Sequence, residues 1–401
     1  MMKKTLMCLA LMLFFSTLSV FAKSINAGPW RFELRMTNAV VPFIIEFEYD
    51  KNKHLTGILK NGKEKIHLND IAYIDKDIII PLGAFEIALE LQQQEENILI
   101  GNLVRRNKNP MVKTNIIGIQ GIKERYPGRK TKPTIDLNGT WSLELTDDND
   151  IKSKGVGTFK QKNNKLSGSI LTPTGDYRYL SGYVSGDQFE AASFDGVYNY
   201  IFKGAVKNGT LEASILSNLT TKVKGIKDPK AELPDPYAQT QIKEMKFIFP
   251  DLTGQNVSLN HLKFQNKPVI IQIFGSWCPN CLDEMNYLVP WYNANHKRGI
   301  EIVALAFERS LGAKEATVQL LKLRNRLKVP YPILQVGSTS EDKPVDKLPG
   351  LTNFISFPTT IFLNKKHQVV KVHAGFTGPS TGDFFEKWKQ EFNETVNELL
   401  D

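Results

Sequence analysis

An all-β region built from two related units, followed by an α/β domain, is the fold class that three observations predict for this chain. Between residues 30 and 230, short strand-like runs alternate with polar turns, and helical periodicity is almost absent. Within that stretch two short phrases recur at one common offset. Beyond a proline-rich segment, buried strands alternate with helical segments, which implies a central sheet covered on both faces.

The chain has 401 residues, enough for two or three domains. Its first segment is the exception to the globular pattern. Lys3 and Lys4 precede an apolar run, and Val20 and Ala22 occupy the small-residue positions of a signal-peptidase site, so residues 1–22 read as a secretory signal. Left uncleaved, the same stretch would be a membrane anchor, since it is almost long enough to span a bilayer. Cleavage removes Cys8 and two lysines, taking the net charge from +9 to +7 and the cysteines from three to two. The expected compartment is the periplasm or another exported location.

The β-rich region divides into repeat 1 (23–127) and repeat 2 (128–230). Trp30-Arg31-Phe32-Glu33-Leu34 recurs as Trp141-Ser142-Leu143-Glu144-Leu145, and Leu55-Thr56-Gly57 as Leu166-Ser167-Gly168. The endings look alike too, with Gly121-Ile122-Lys123 matching Gly225-Ile226-Lys227. Two antiparallel meanders that pack together, or that close into one barrel-like sandwich, are expected. Nine basic residues and one acid lie between Val104 and Pro133. With no aromatic interleaving, that strip reads as a solvated connection between repeats rather than a nucleic-acid surface. Tyr177, Tyr179, Tyr198 and Tyr200 read as cross-strand core pairs or, alternatively, as the lining of a groove.

A proline-rich linker (231–239) leads into the last domain (240–401). Lys267–Phe274, Glu301–Phe307 and Thr359–Leu363 read as buried strands. Val318, Leu321 and Leu327 mark one helix, and Phe384, Trp388, Phe392 and Val396 mark another at i, i+4 spacing.

The two remaining cysteines form Cys278-Pro279-Asn280-Cys281, just after the first of these strands and at the start of a helix. A bridge closing so short a loop restrains little of the unfolded chain, so a redox role outweighs a structural one. The free N–H groups and positive dipole end of a helix start stabilise a thiolate. Cys278 is therefore expected to be the exposed, attacking thiol, beside the flat surface of Trp277, and Cys281 the resolving one. Glu284, on the same helical face, could move a proton. No metal site is expected: His367 and His373, the nearest further ligands, have no spacing to support zinc.

Phe274-Gly275-Ser276-Trp277-Cys278-Pro279-Asn280-Cys281, Glu284-Met285 and Phe357-Pro358-Thr359-Thr360 together resemble the exported TlpA/ResA-like thiol-disulfide oxidoreductases of the thioredoxin superfamily. Met245–Leu252 and Gly254–Leu259 are similar to the β-hairpin that opens those domains. The resemblance covers residues 240–401 and implies a thioredoxin-like fold without a cofactor. It also implies a redox-active Cys278–Cys281 disulfide, a cis bond between Phe357 and Pro358, and a substrate-binding surface of Trp277, Phe357 and Pro358. Gln272 takes the place of thioredoxin's buried acid, which leaves Glu284 to handle protons. Two positions depart from the family pattern. Asn286 stands where a helix-kinking proline is common, with Pro290 later, and Phe357 is bulkier than usual.

The expected activity is dithiol/disulfide exchange with a protein disulfide substrate, as a reductase. It would need an external thiol donor, such as a membrane thiol-disulfide carrier. Two alternatives stand beside it. In the first, the β repeats are the working part, recognising an envelope partner with the redox domain as accessory. A peroxiredoxin-type peroxidase fits less well, because its Pro-x-x-x-Thr/Ser-x-x-Cys arrangement would need a hydroxyl residue where Gly275 stands.

Overall fold

The computed structural model describes residues 25–82, 87–106, 110–128, 130–237, 245–309, 312–351 and 353–401. Residues 1–22, expected to be a secretory signal, lie outside the described residues, as do Lys108, Arg129 and the end of the linker.

Alternating apolar residues build the first unit. Its strands are β1 (Gly28–Arg35), β2 (Val40–Tyr49), β3 (Leu55–Asn61), β4 (Glu64–Leu68), β5 (Ala72–Ile74), β6 (Asp77–Pro81), β7 (Ile87–Glu95), β8 (Ile98–Arg105) and β9 (Val112–Gln120). They form one antiparallel sheet in the order β4-β3-β2-β1-β9-β8-β7-β6-β5, with β4 and β5 as its edges. Trp30, Phe32 and Leu34 of β1 point to one face, as the two-residue period of a strand requires.

The second unit contains β10 (Gly139–Thr146), β11 (Lys152–Lys162), β12 (Lys165–Thr172), β13 (Gly175–Asp176), β14 (Leu180–Ser185), β15 (Gln188–Phe194), β16 (Asn199–Lys207), β17 (Thr210–Leu216) and β18 (Thr220–Lys227). Here β11 also pairs with β12 and β10 with β18, so all strands but β13 close a ring. The barrel is filled by Trp141, Leu143, Phe159, Leu166, Phe189 and Phe202. In both units the tryptophan indole donates to the carbonyl four residues earlier, Trp30 to Asn26 at 2.9 Å and Trp141 to Leu137 at 3.0 Å.

The matching ends need a correction. Phe32 faces Gly118 across β1–β9, and Leu143 faces Gly225 across β10–β18, so Gly118 and not Gly121 is the counterpart of Gly225. What recurs is a glycine making room for an inward side chain, because a Cβ at 118 would overlap the Phe32 ring. Gly121 lies beyond β9.

The open sheet packs on the outside of the barrel. Ala192, Phe194, Ile201 and Leu216 point away from the barrel interior into the core of the first unit, and Phe194 stacks on Phe43 with ring centres 4.0 Å apart. The basic strip helps to fasten this contact. Arg105 donates to Val197 O and Asn199 Oδ1, while buried Arg125 donates to Ala192 O and, at 2.9 Å, to Lys60 O. These two arginines are therefore fasteners between the units, not part of a solvated connection; burial pushes the Arg125 guanidinium down to about 10. Tyr177, Tyr198 and Tyr200 pack on one another, with ring centres 4.9 and 5.5 Å apart.

In the last domain a hairpin of β19 (Ile248–Pro250) and β20 (Asn256–Ser258) precedes β21 (Val269–Phe274), α1 (Pro279–Asn295), β22 (Glu301–Glu308), α2 (Ala313–Leu327), β23 (Ile333–Ser338), α3 (Pro344–Lys347), β24 (Thr359–Leu363), β25 (Val369–Ala374) and α4 (Asp383–Leu400). The sheet order is β23-β22-β21-β24-β25, with β21, β22 and β23 parallel and the other two antiparallel. Ile270 and Phe274 face a core shared with α1, α2 and α4. Val269, Ile271 and Ile273 face the other core, closed by Phe247, Phe264, Leu348 and Leu351. The apolar stripe of α2 is Ala316, Leu320 and Leu323; Val318 is solvent-facing, so the expected stripe is rotated around the helix. No helix among the described residues is long and apolar enough to cross a membrane.

Candidate functional site

Six consecutive buried residues make β21 the centre of the sheet, and the chain leaves it through a turn pinned by Glu308. That carboxylate accepts from Ser276 N at 2.9 Å and Ser276 Oγ at 2.6 Å. Cys278 then becomes the N-cap of α1, its Sγ accepting from Cys281 N at 3.2 Å, with Pro279 in the first turn, where its missing N–H costs nothing. Cys278 and Cys281 are joined as a disulfide with Cα atoms 5.3 Å apart. The peptide between Phe357 and Pro358 is cis, and Phe357 O lies 3.6 Å from Cys278 Sγ.

Glu284 lies one turn further along α1 and is fully buried. Thr360 Oγ1 donates to its Oε1 at 2.6 Å, and Gln272 Nε2 to its Oε2 at 2.7 Å. The same Gln272 nitrogen donates to Cys281 O at 3.3 Å, so Gln272 ties the carboxyl to the backbone of the helix turn that carries the second cysteine. Burial pushes the Glu284 carboxyl up to about 7, against the opposing pull of its two hydrogen bonds. Thr360 is the residue that sequence reasoning passed over. It stands opposite Gln272 in the β21–β24 register, a placement that no pattern within either strand reveals.

The aromatic residues gather around the first cysteine. Trp277 donates from Nε1 to Phe307 O at 2.9 Å and meets the Phe357 ring edge-on at 5.2 Å, while the Arg309 guanidinium sits 3.8 Å over its ring. Cys278 itself is only 1% exposed, contrary to the expected accessible thiol. Phe357 O lies on one side of its sulfur, and a turn of the barrel lies against Asn280 between the two cysteines, a contact between residues more than a hundred positions apart. Pro290 lies within α1, so the helix carries its proline later than the family pattern. At Gly275 a Cβ would come within 2.8 Å of Phe307 O, so no threonine or serine fits where a peroxiredoxin would place its hydroxyl.

A cysteine pair at the start of the helix after the central strand, faced by a cis-proline loop and backed by a buried carboxyl, defines a thioredoxin-like dithiol/disulfide oxidoreductase domain. Residues 237–384 match the redoxin family, so a redoxin domain occupies the C-terminal part of the chain. The thiol-disulfide oxidoreductase ResA of Halalkalibacterium halodurans is 27% identical over 157 residues, which are 38% of this chain and 74% of that relative. The sporulation thiol-disulfide oxidoreductase A of Bacillus subtilis is 21% identical over 145 residues, 36% of this chain and 78% of the relative. A solved thiol:disulfide interchange protein of the thioredoxin family from Chlorobium tepidum aligns over 43% of this chain and 100% of its own, at 18% identity and a TM-score of 0.31.

Proposed function

We propose that the protein is an exported thiol-disulfide oxidoreductase that reduces disulfides of protein substrates in the periplasm or cell envelope. The Cys278 thiolate attacks a substrate disulfide, forming a mixed disulfide and releasing one substrate thiolate, which takes up a proton. Cys281, deprotonated by the Glu284 carboxylate, then attacks Cys278 Sγ and releases the second substrate thiolate. Two electrons pass to the substrate and the Cys278–Cys281 disulfide forms; an external dithiol donor then reduces it back to the dithiol and is itself oxidised to a disulfide. Trp277, Phe357 and Pro358 form the surface that receives the substrate chain. Export rests on the basic start and apolar run of residues 1–22.

The observation that carries this reading is the Cys278–Cys281 disulfide at the start of α1, faced by the cis Pro358 loop and backed one turn further along by a buried Glu284 carboxyl pushed up to about 7. Replacing Cys281 with Ser should trap mixed disulfides at Cys278; recovering none while Cys278 still alkylates would sink the exchange reaction. The resolution rate should rise as pH passes about 7, where Glu284 becomes able to accept a proton, and Glu284→Gln should abolish that inflection. Stability follows from the same displacement. Because the folded state holds this proton more tightly than the unfolded chain, stability falls as pH rises from 4.5 to about 7 and then levels off. Glu284→Gln should accordingly be neutral at pH 4 and stabilising by about 3 kcal/mol at pH 8, read by urea unfolding.

A further inference from the structure

The barrel and the redox domain meet at the cysteine pair. The turn from β12 to β13 brings Thr174, Gly175 and Asp176 against α1 and against the loop after β25. Asn280, between the two cysteines, donates from Nδ2 to Asp176 O at 3.4 Å. Gly175 has φ +124°, and a Cβ there would overlap Asn280 Nδ2. Opposite it stands Gly375, with φ +68°, where a Cβ would lie 2.6 Å from Gly175 N and from Thr174 C. Two backbones thus touch at a pair of positions that only glycine fills without strain. Gly375 N in turn donates to Pro358 O at 2.8 Å, so the barrel turn rests on the loop that faces the disulfide.

Charged groups hold this turn in place. Asp176 accepts from Gly378 N and Ser380 Oγ, both at 2.8 Å, and from its neighbour Arg178 N at 2.7 Å. The Arg178 side chain is 5% exposed and reaches all three units. It pairs with Asp195 of the barrel at 2.7 Å, with Glu64 of the open sheet at 2.6 Å, and with Asp283 of α1. Asp283 lies two residues beyond Cys281. Cys278 is 1% and Cys281 0% exposed with this contact in place.

We propose that the β12–β13 turn is the gate of the redox site: it decides which disulfides reach Cys278, and Arg178 is the positioning residue that keeps it shut. The proposal rests on the exchange reaction above and adds its control. With the turn seated, a substrate strand has no path to the sulfur, so the reaction rate scales with the fraction of molecules in which the turn is lifted. A folded protein disulfide needs the whole turn displaced, whereas a small reagent needs only a local opening.

The test uses the full chain. Gly175→Val wedges the turn against Asn280, and Asp176→Asn combined with Ser380→Ala loosens it without adding bulk; thermal melts show that each variant is folded. In the reduced proteins, alkylation of Cys278 by iodoacetamide and reduction of insulin disulfides should both accelerate, by about tenfold or more, the reciprocal of the open fraction. The redox potential of the pair against glutathione should stay the same, which a change in thiol chemistry would not allow. Equal alkylation and insulin rates in wild type and both variants would overturn the gate while leaving exchange intact. Faster alkylation without insulin reduction in any variant would instead keep the gate and overturn the reductase reading. Slower alkylation in both folded variants would overturn the gate as well.

Discussion

The open sheet and the closed barrel follow the same strand order and share a tryptophan anchor, yet only one of them closes. The difference lies in one strand pairing. In the open sheet, β4 spans Glu64–Leu68 and pairs with β3 from Gly57 to Asn61. In the barrel its counterpart β13 is only Gly175–Asp176, pairing with Leu171 and Thr172, while β14 pairs with Lys165–Gly168 of β12. The ring is closed by that β12–β14 pairing, at positions whose counterparts in the open sheet β4 meets only at Gly57. The unit that stays open must borrow its core, and the outer face of β15 and β16 supplies it.

The largest expected effect lies in that borrowed core. Phe194→Ala removes a fully buried ring from the first unit while leaving the barrel interior of Phe189, Phe202 and Trp141 intact. The cost should be about 3 to 5 kcal/mol. Amide exchange should speed up in β1, β2 and β3 and remain slow in β10, β11 and β12. Loss of protection first in the barrel strands would mean that the barrel, not the open sheet, is the dependent unit.

A smaller effect is expected at Arg125, which ties β3 to β15 through two carbonyls. Arg125→Ala should lower stability by roughly 2 to 3 kcal/mol, because buried carbonyls lose a charged donor. Arg125→Lys should recover little of it, since an ammonium lacks the planar fork that reaches both oxygens. A urea midpoint that is unchanged in either variant would reduce this arginine to a surface charge.

These positions show how much of the molecule the sequence disclosed. The tryptophan phrase, the change from two-residue to helical periodicity and the CxxC at a helix start are local patterns, and each marks an element that the structure contains. Glu284 was legible because helix geometry alone places it on the face of Cys281. Thr360 was not, because its contact depends on strand register, which a single strand does not specify. Arg125 looked like one charge in a solvated run, since nothing within that run reveals which guanidinium meets the Ala192 carbonyl. The contact of the barrel turn with the redox domain was also invisible. It joins Gly175 to Gly375 and Asp176 to Ser380, pairs about two hundred residues apart that no periodicity connects.

The smallest effect tests the seam itself. Gly57 and Gly168 are the repeated glycines, and each faces a phenylalanine across its strand pair, Phe47 and Phe159 respectively. At Gly57 a Cβ would meet only side chains, Ile45 and Phe47, at 3.1 Å, and these can shift. Gly168 sits where β12 pairs with both β11 and β14, and a Cβ there would overlap the Thr158 carbonyl oxygen, which is backbone. Replacing a strand glycine with alanine gains roughly 0.5 to 1 kcal/mol of conformational preference, which should leave Gly57→Ala close to neutral. Gly168→Ala should cost about 1 to 3 kcal/mol, since the ring must give way to admit the methyl group. Thermal melts of the two variants would decide the matter: a Gly57→Ala cost equal to that of Gly168→Ala would mean that closure adds no crowding at this glycine.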